Sequence, residues 1–139
     1  ERYNEIITEL GLDISLEEDF KEIKEEIKKQ NSFDYTISRG EYLNGKVLAN
    51  YLGFDFIDAA DVIYIDKHGR YDEKRTDAAL TKALSEHDYA VIPGFYGQLK
   101  MNQDVLKPSL EVVVMSLVVS LRNVPAQIYM KTGLMYQVS

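Results

Sequence analysis

Cysteine and tryptophan are both missing from the 139 residues, which contain only three prolines and two histidines. Without thiols there is neither a disulfide framework nor a thiolate metal site. The two histidines, His68 and His87, stand apart, so a histidine-based metal centre is not expected. Positive charge is also short: 16 Lys and Arg face 23 Asp and Glu, giving a net charge of −7 and a pI near 4.8. A nucleic-acid binder gains affinity by neutralising phosphates with cations, and this balance points away from one. Long apolar runs are lacking too. The longest, residues 112–121, includes two serines and falls well short of the roughly 20 residues that a membrane span needs. The chain opens at Glu1 with no initiator Met and no signal-peptide pattern. The expectation is a soluble, cytoplasmic protein whose N-terminal part has been removed or lies elsewhere.

What is present suits an ordinary globular domain. Hydrophobic residues make up 45% and charged residues 28% of the chain, and the length suffices for a modest core. No repeat, low-complexity tract or Gly/Ser linker is visible. Tyr3, Ile6, Ile7 and Leu10 recur at helical spacing, and Gly11 stops that helix. Ser15 and Glu18 form a capping box ahead of Leu16, Phe20, Ile23 and Ile27. The Glu and Lys between them, spaced three and four apart, read as a solvated face. A third helix is expected over residues 41–52, with Gly53 as its C-cap. Gly45 inside it costs about 1 kcal/mol relative to Ala, which close packing on a neighbour would explain. Residues 54–57, 62–65 and 89–92 read as short strands. His68-Gly69 marks a turn, and Asp72 caps a helix reaching about residue 86. Both histidines lie beside charged residues on turns or helix ends and are expected to be exposed and structural. Helices alternating with short apolar strands indicate an α/β layer architecture.

Three stretches are more specific: Ser38-Arg39-Gly40-Glu41 running into YLNGKVLANYLG, then FDFIDAADVI, then Ala90-Val91-Ile92-Pro93-Gly94-Phe95-Tyr96-Gly97. In this order and spacing, across residues 35–97, the chain resembles the aspartate kinases of the amino-acid-kinase superfamily. The resemblance implies an α/β fold, a partial amino-acid-kinase (carbamate-kinase-like) three-layer sandwich. It also implies ATP-dependent phosphorylation of the L-aspartate side-chain carboxylate, the first step toward lysine, threonine and methionine, in a parent enzyme that is a homo-oligomer using ATP and Mg. In that family the glutamate of the Arg-Gly-Glu segment faces the substrate's ammonium. Glu41 is therefore the candidate for the α-amino group, Arg39 and Gly40 shape its loop, and Phe95 walls the same pocket. The residues themselves are compatible. An Arg-Gly-Glu opening a helix would set a carboxylate at the helix N-terminus. A Pro-Gly turn after a strand would put Phe95 where open α/β sheets bind ligands. The plainer reading has Glu41 favouring the helix dipole and Phe95 packing in the core.

Phosphoryl transfer is mostly positioning and charge neutralisation around the γ-phosphate. Aspartate kinases supply these with a Lys-Phe-Gly-Gly-Thr-Ser segment, an Arg-Gly-Gly-Ser-Asp loop and a Trp-Thr-Asp nucleotide segment. The first would precede Glu1; the other two would follow Gly97 and do not occur in the sequence. The expectation is that this chain binds neither ATP nor Mg and is catalytically silent alone.

Beyond Lys107 the resemblance stops, and the residues fit a different reading frame. Codons for Ser109 through Val118 can be chosen so that reading from their third base spells Ser-Arg-Gly-Gly-Ser-Asp-Val-Thr-Gly. The same shift applied to residues 128–139 permits Ile-Tyr-Glu-Asn-Trp-Thr-Asp-Val-Ser-Gly-Phe. Both are phosphate- and nucleotide-site segments of the family. Residues 1–107 therefore read as an internal part of an aspartate kinase catalytic domain, and 108–139 as an out-of-frame tail without an evolved fold. Residues 110–121, apolar, β-prone and free of proline, are an aggregation hazard if exposed. Two further functions remain open: a non-catalytic module that binds an amino acid or a partner helix, and a kinase for another amino acid such as glutamate.

Overall fold

A computed structural model describes residues 2–30, 32–94 and 96–99, and the backbone of 105–108, 127–129 and 135–137. Helices α1 (Arg2–Glu9), α2 (Glu17–Gln30) and α3 (Phe33–Leu52) come first, followed by strand β1 (Asp55–Phe56), the short helix α4 (Ala59–Val62) and strand β2 (Tyr64–Ile65). Helix α5 (Glu73–Ser85) leads to β3 (Ala90–Val91) and β4 (Tyr96–Leu99), and then to β5 (Val105–Pro108), β6 (Gln127–Tyr129) and β7 (Met135–Gln137). The segment assigned to an out-of-frame tail lies outside the described residues, apart from Pro108 and the short β6–β7 pair.

The termini of these helices follow from single side chains and glycines. Gly11 and Gly53 take the left-handed conformation, with φ of 62° and 70°, and end α1 and α3. Ser15 Oγ accepts from Glu17 N at 3.4 Å, Ser32 Oγ from Tyr35 N at 3.2 Å and Asp72 Oδ1 from Arg75 N at 3.1 Å, occupying orphan donors at the starts of α2, α3 and α5. Asp66 Oδ1 accepts from His68 N and Arg70 N and so organises the turn at Gly69, whose φ is 80°.

The largest difference from expectation is α3, which begins at Phe33 rather than near residue 41. Ser38, Arg39 and Gly40 are poor markers of a buried helix face, yet Ser38 and Arg39 are buried in it. The Arg-Gly-Glu segment therefore lies in mid-helix and not at a helix N-terminus, so the dipole argument for Glu41 fails. Helix α4 was also unforeseen; four residues are too few to establish a period, although Asp58 caps it by accepting from Ala60 N at 2.9 Å.

Strands β1 and β3 pair in parallel, Asp55 with Ala90 and Phe56 with Val91. Strand β2 pairs in parallel with β4, which pairs antiparallel with β5. This is an α/β arrangement with small parallel sheets. Its main core gathers Ile57, Ala59, Val62, Ile63, Leu80, Leu84, Ala90, Ile92 and Tyr96. A second cluster, Leu16, Leu43 and Val47, joins α3 to the helices before it, with Tyr3, Ile6, Ile7, Phe20 and Ile23 packed around it. Each fully buried aliphatic side chain contributes roughly 1.5–3 kcal/mol. Leu10, expected on the buried stripe of α1, is 49% exposed because the helix ends at Glu9. Among the described residues, no helix is long and apolar enough to cross a membrane.

Two glycines permit close approach. A Cβ on Gly45 would lie 3.0 Å from Phe56 Cε2 and 3.3 Å from Pro93 Cβ, which accounts for a glycine inside α3. A Cβ on Gly97 would lie 2.8 Å from both Ile63 Cγ2 and Ile63 O. Gly97 thus lets β4 reach Ile63, where Gln98 N donates to Ile63 O at 2.8 Å.

Candidate functional site

The C-terminal ends of the parallel pair β1 and β3 open onto Asp58 on one side and the Pro93-Gly94 turn on the other, the location that open α/β sheets use for ligands. Helix α3 lies across this edge. Its buried face brings Arg39 under the rings of Tyr35, one turn earlier, and Tyr42, three residues later, while Tyr96 arrives from β4. The guanidinium carbon is 4.8, 4.6 and 5.2 Å from these three ring centroids. Such cation–π contacts are worth about 0.5–2 kcal/mol each, more when water is excluded.

Polar contacts complete the cradle. Arg39 Nε donates to Ser38 Oγ at 3.2 Å, and Ser38 Oγ donates to Tyr35 O at 2.7 Å. The Tyr96 hydroxyl donates to Asp58 Oδ1 at 2.7 Å, the oxygen that also caps α4. Burial, and then the charge of Asp58, pushes the Tyr96 phenol far above its ordinary titration range, so it stays a neutral donor. Arg39 is 8% exposed, and among the described residues its Nη2 is buried with no hydrogen-bond partner. A buried, unsatisfied N–H of a charged group typically costs 1–3 kcal/mol or more.

Glu41 has a different environment. Two residues of α-helix correspond to about 200° of rotation, so its side chain leaves α3 on roughly the opposite side from Arg39. It is half-buried, near the hydroxyl of Tyr3, whose own pKa is raised first by burial and then by the Glu41 charge. Tyr3 reaches across from α1 to donate to Asn44 Oδ1 at 3.1 Å and Gly40 O at 3.3 Å. Gly40 is exposed, and a Cβ there would meet nothing within 4 Å. The structure therefore places Arg39 and Glu41 on different faces of one helix, and Gly40 shapes helix surface and not a loop. Phe95 lies outside the described residues; its neighbours Gly94 and Tyr96 are buried.

Sequence reasoning overlooked Tyr35, Tyr42, Tyr96 and Asp58. Tyr35, Arg39 and Tyr42 recur at intervals of four and three, a helical spacing that the early start of α3 would have revealed. The histidines are peripheral. His87 Nδ1 is 2.7 Å from Asp55 Oδ2, and the side chain of His87 is 30% exposed. Among the described residues, no group of three or more His, Asp and Glu is disposed to hold a metal ion. Among the described residues, no two glycines share a loop that opens a helix, so no glycine-rich phosphate cradle is seen there. The described residues therefore supply no site that fits ATP and Mg.

No protein-family model and no curated protein matches the chain. Among solved structures, it is similar to the aspartate kinase of Clostridium acetobutylicum, at 45% identity with a TM-score of 0.71. The match covers 77% of this chain and 24% of that one, so the chain spans about a quarter of that enzyme's length.

Proposed function

From the premise that the chain is similar to an aspartate kinase over most of its length, we propose that it is a segment of such a catalytic domain that keeps an amino-acid-binding wall. The observation carrying this reading is the 45% identity, extended over 77% of the chain, to a solved aspartate kinase. In the parent enzyme, ATP would phosphorylate the side-chain carboxylate of L-aspartate to give 4-phospho-L-aspartate. Mg-bound ATP would supply the phosphoryl group there. This chain contributes Glu41 as the partner of the substrate ammonium, with Phe95 as a wall of the pocket. A carboxylate half-sheltered beside Tyr3 suits that role, because partial exclusion of water strengthens its attraction for a cation.

Alone, the segment is a binding module and not a catalyst. Its described residues offer no phosphate cradle, and phosphoryl transfer depends on groups converging on the nucleotide. Calorimetric titration with L-aspartate tests the binding half of this reading. The unmodified chain should give saturable heat, and Glu41→Ala should weaken binding at least tenfold. Equal heats from the two proteins would remove Glu41 from the site. A second reading, in which the segment docks a partner helix, draws on the exposed Phe33, Ile37, Leu48 and Tyr51 of α3.

A further inference from the structure

The geometry points to a second ligand site on this chain: Arg39, held among Tyr35, Tyr42 and Tyr96, is a receptor for a carboxylate, separate from the contact assigned to Glu41. Three observations converge. The guanidinium is buried, with 8% of Arg39 exposed, and its Nη2 has no acceptor among the described residues. Two acids meet the cluster's hydroxyls, and both are engaged: Asp58 takes the Tyr96 O–H at 2.7 Å and the Ala60 N–H at 2.9 Å on one oxygen, and Asp19 takes the Tyr42 O–H at 2.9 Å and the Lys46 ammonium at 2.6 Å on one oxygen. The three aromatic faces lie within 5.2 Å of the guanidinium carbon and shield it from water without offering an acceptor in its plane.

An arginine fixed in this way presents its N–H edge and not its face. That edge is a planar fork whose spacing matches the two oxygens of a carboxylate. A carboxylate seated there would satisfy Nη2 and neutralise the buried charge in a medium where the pair is strong. The roughly 200° between Arg39 and Glu41 around α3 means that one molecule as small as an amino acid does not contact both. The site is therefore independent of the Glu41 reading and can stand if that reading falls. Because Nη2 is sealed from solvent, one ring of the cradle must swing aside as the anion enters.

The carboxylate could come from a free small acid or from an acidic side chain of a polypeptide, and a titration of the intact 139-residue chain separates the two. The readout is the Arg39 Nε–Hε cross-peak of ¹⁵N-labelled protein during addition of succinate and, separately, of a short glutamate-rich peptide. A saturable shift with succinate, together with shifts of the tyrosine ring signals, identifies a free-acid site. A shift with the peptide alone identifies a polypeptide source. Glu41→Ala should leave either response unchanged, whereas Arg39→Lys, which keeps the charge but loses the fork, should weaken it at least tenfold. If Arg39→Lys fails to fold, the wild-type titration still decides, with the peak assigned by side-chain-to-backbone correlation. An Arg39 signal that neither acid moves in the folded chain would overturn the proposal and leave a guanidinium satisfied by ring faces.

Discussion

The two faces of α3 use the same twenty residues for opposite ends. Toward the sheet and the two preceding helices, Tyr35, Ser38, Arg39, Leu43, Gly45, Val47 and Ala49 are buried, and the Nη2 of Arg39 is the buried side-chain polar atom without a hydrogen-bond partner among the described residues. Away from the sheet, Phe33 is 77% exposed and Tyr51 58% exposed, with Ile37 and Leu48 between them and Glu41 half-sheltered on the same side. Residues contiguous in a motif can thus emerge on unrelated faces. The Ser-Arg-Gly-Glu run reads as one unit in the sequence, but the helix divides it into an inward pair and an outward pair.

Substitutions at contrasting positions sharpen this division. The largest effect is expected off the helix, at Gly97→Ala, whose methyl would meet the Ile63 backbone oxygen at 2.8 Å. Backbone cannot give way as a side-chain tip can, so about 3 kcal/mol of stability should be lost in chemical denaturation. Next comes Tyr96→Phe, which strips Asp58 of its buried donor and should cost about 2 kcal/mol by the same measurement.

On α3 itself, the two glycines should respond with opposite signs. Gly45→Ala crowds Phe56 and Pro93; the packing penalty exceeds the helix-propensity gain, and about 1 kcal/mol should be lost. Gly40→Ala meets nothing within 4 Å and should raise stability by about 1 kcal/mol. If both glycines shifted stability in the same direction, the division of the helix into a packed and an open face would be broken.

The smallest effect concerns pH. Backbone hydrogen bonds from Arg70 and His68, followed by the Arg70 side chain, lower the pKa of Asp66 below its ordinary 3.8. A depressed carboxylate stabilises the fold above the unfolded-state value and loses that contribution as pH falls through the folded-state value. The amide signals of His68 and Arg70 should therefore move only below about pH 4, and Asp66→Asn should abolish that acid transition.

Much of the architecture was legible from local chemistry. Gly11, Gly53, Asp72 and the His68-Gly69 turn each act where a short-range rule places them, because caps and turns are decided by a few neighbouring atoms, whereas Ser15 accepts from Glu17 N and not from the Glu18 of the expected capping box. Strands β1, β2 and β3 fall within two residues of their expected bounds, whereas β4 has no counterpart in the sequence reading. The start of α3 was not, since its buried face carries Ser38 and Arg39 where a hydrophobic period would carry aliphatics. The same cause hid the aromatic cradle. Tyr96 belongs to it through a contact 57 residues distant from Arg39 in sequence, set by the pairing of β4 and not by any local signal. The resemblance to aspartate kinases names residues by their order in the chain, but the side on which each residue emerges is a property of the fold.

On the function proposed above, the chain retains a surface for an amino acid without the means to transfer phosphate to it. The direct test is to incubate the purified chain with ATP, Mg²⁺, L-aspartate and hydroxylamine, which traps any acyl phosphate as the hydroxamate. No hydroxamate above a protein-free control is expected, and ATP-dependent accumulation of aspartyl hydroxamate would contradict the proposed function.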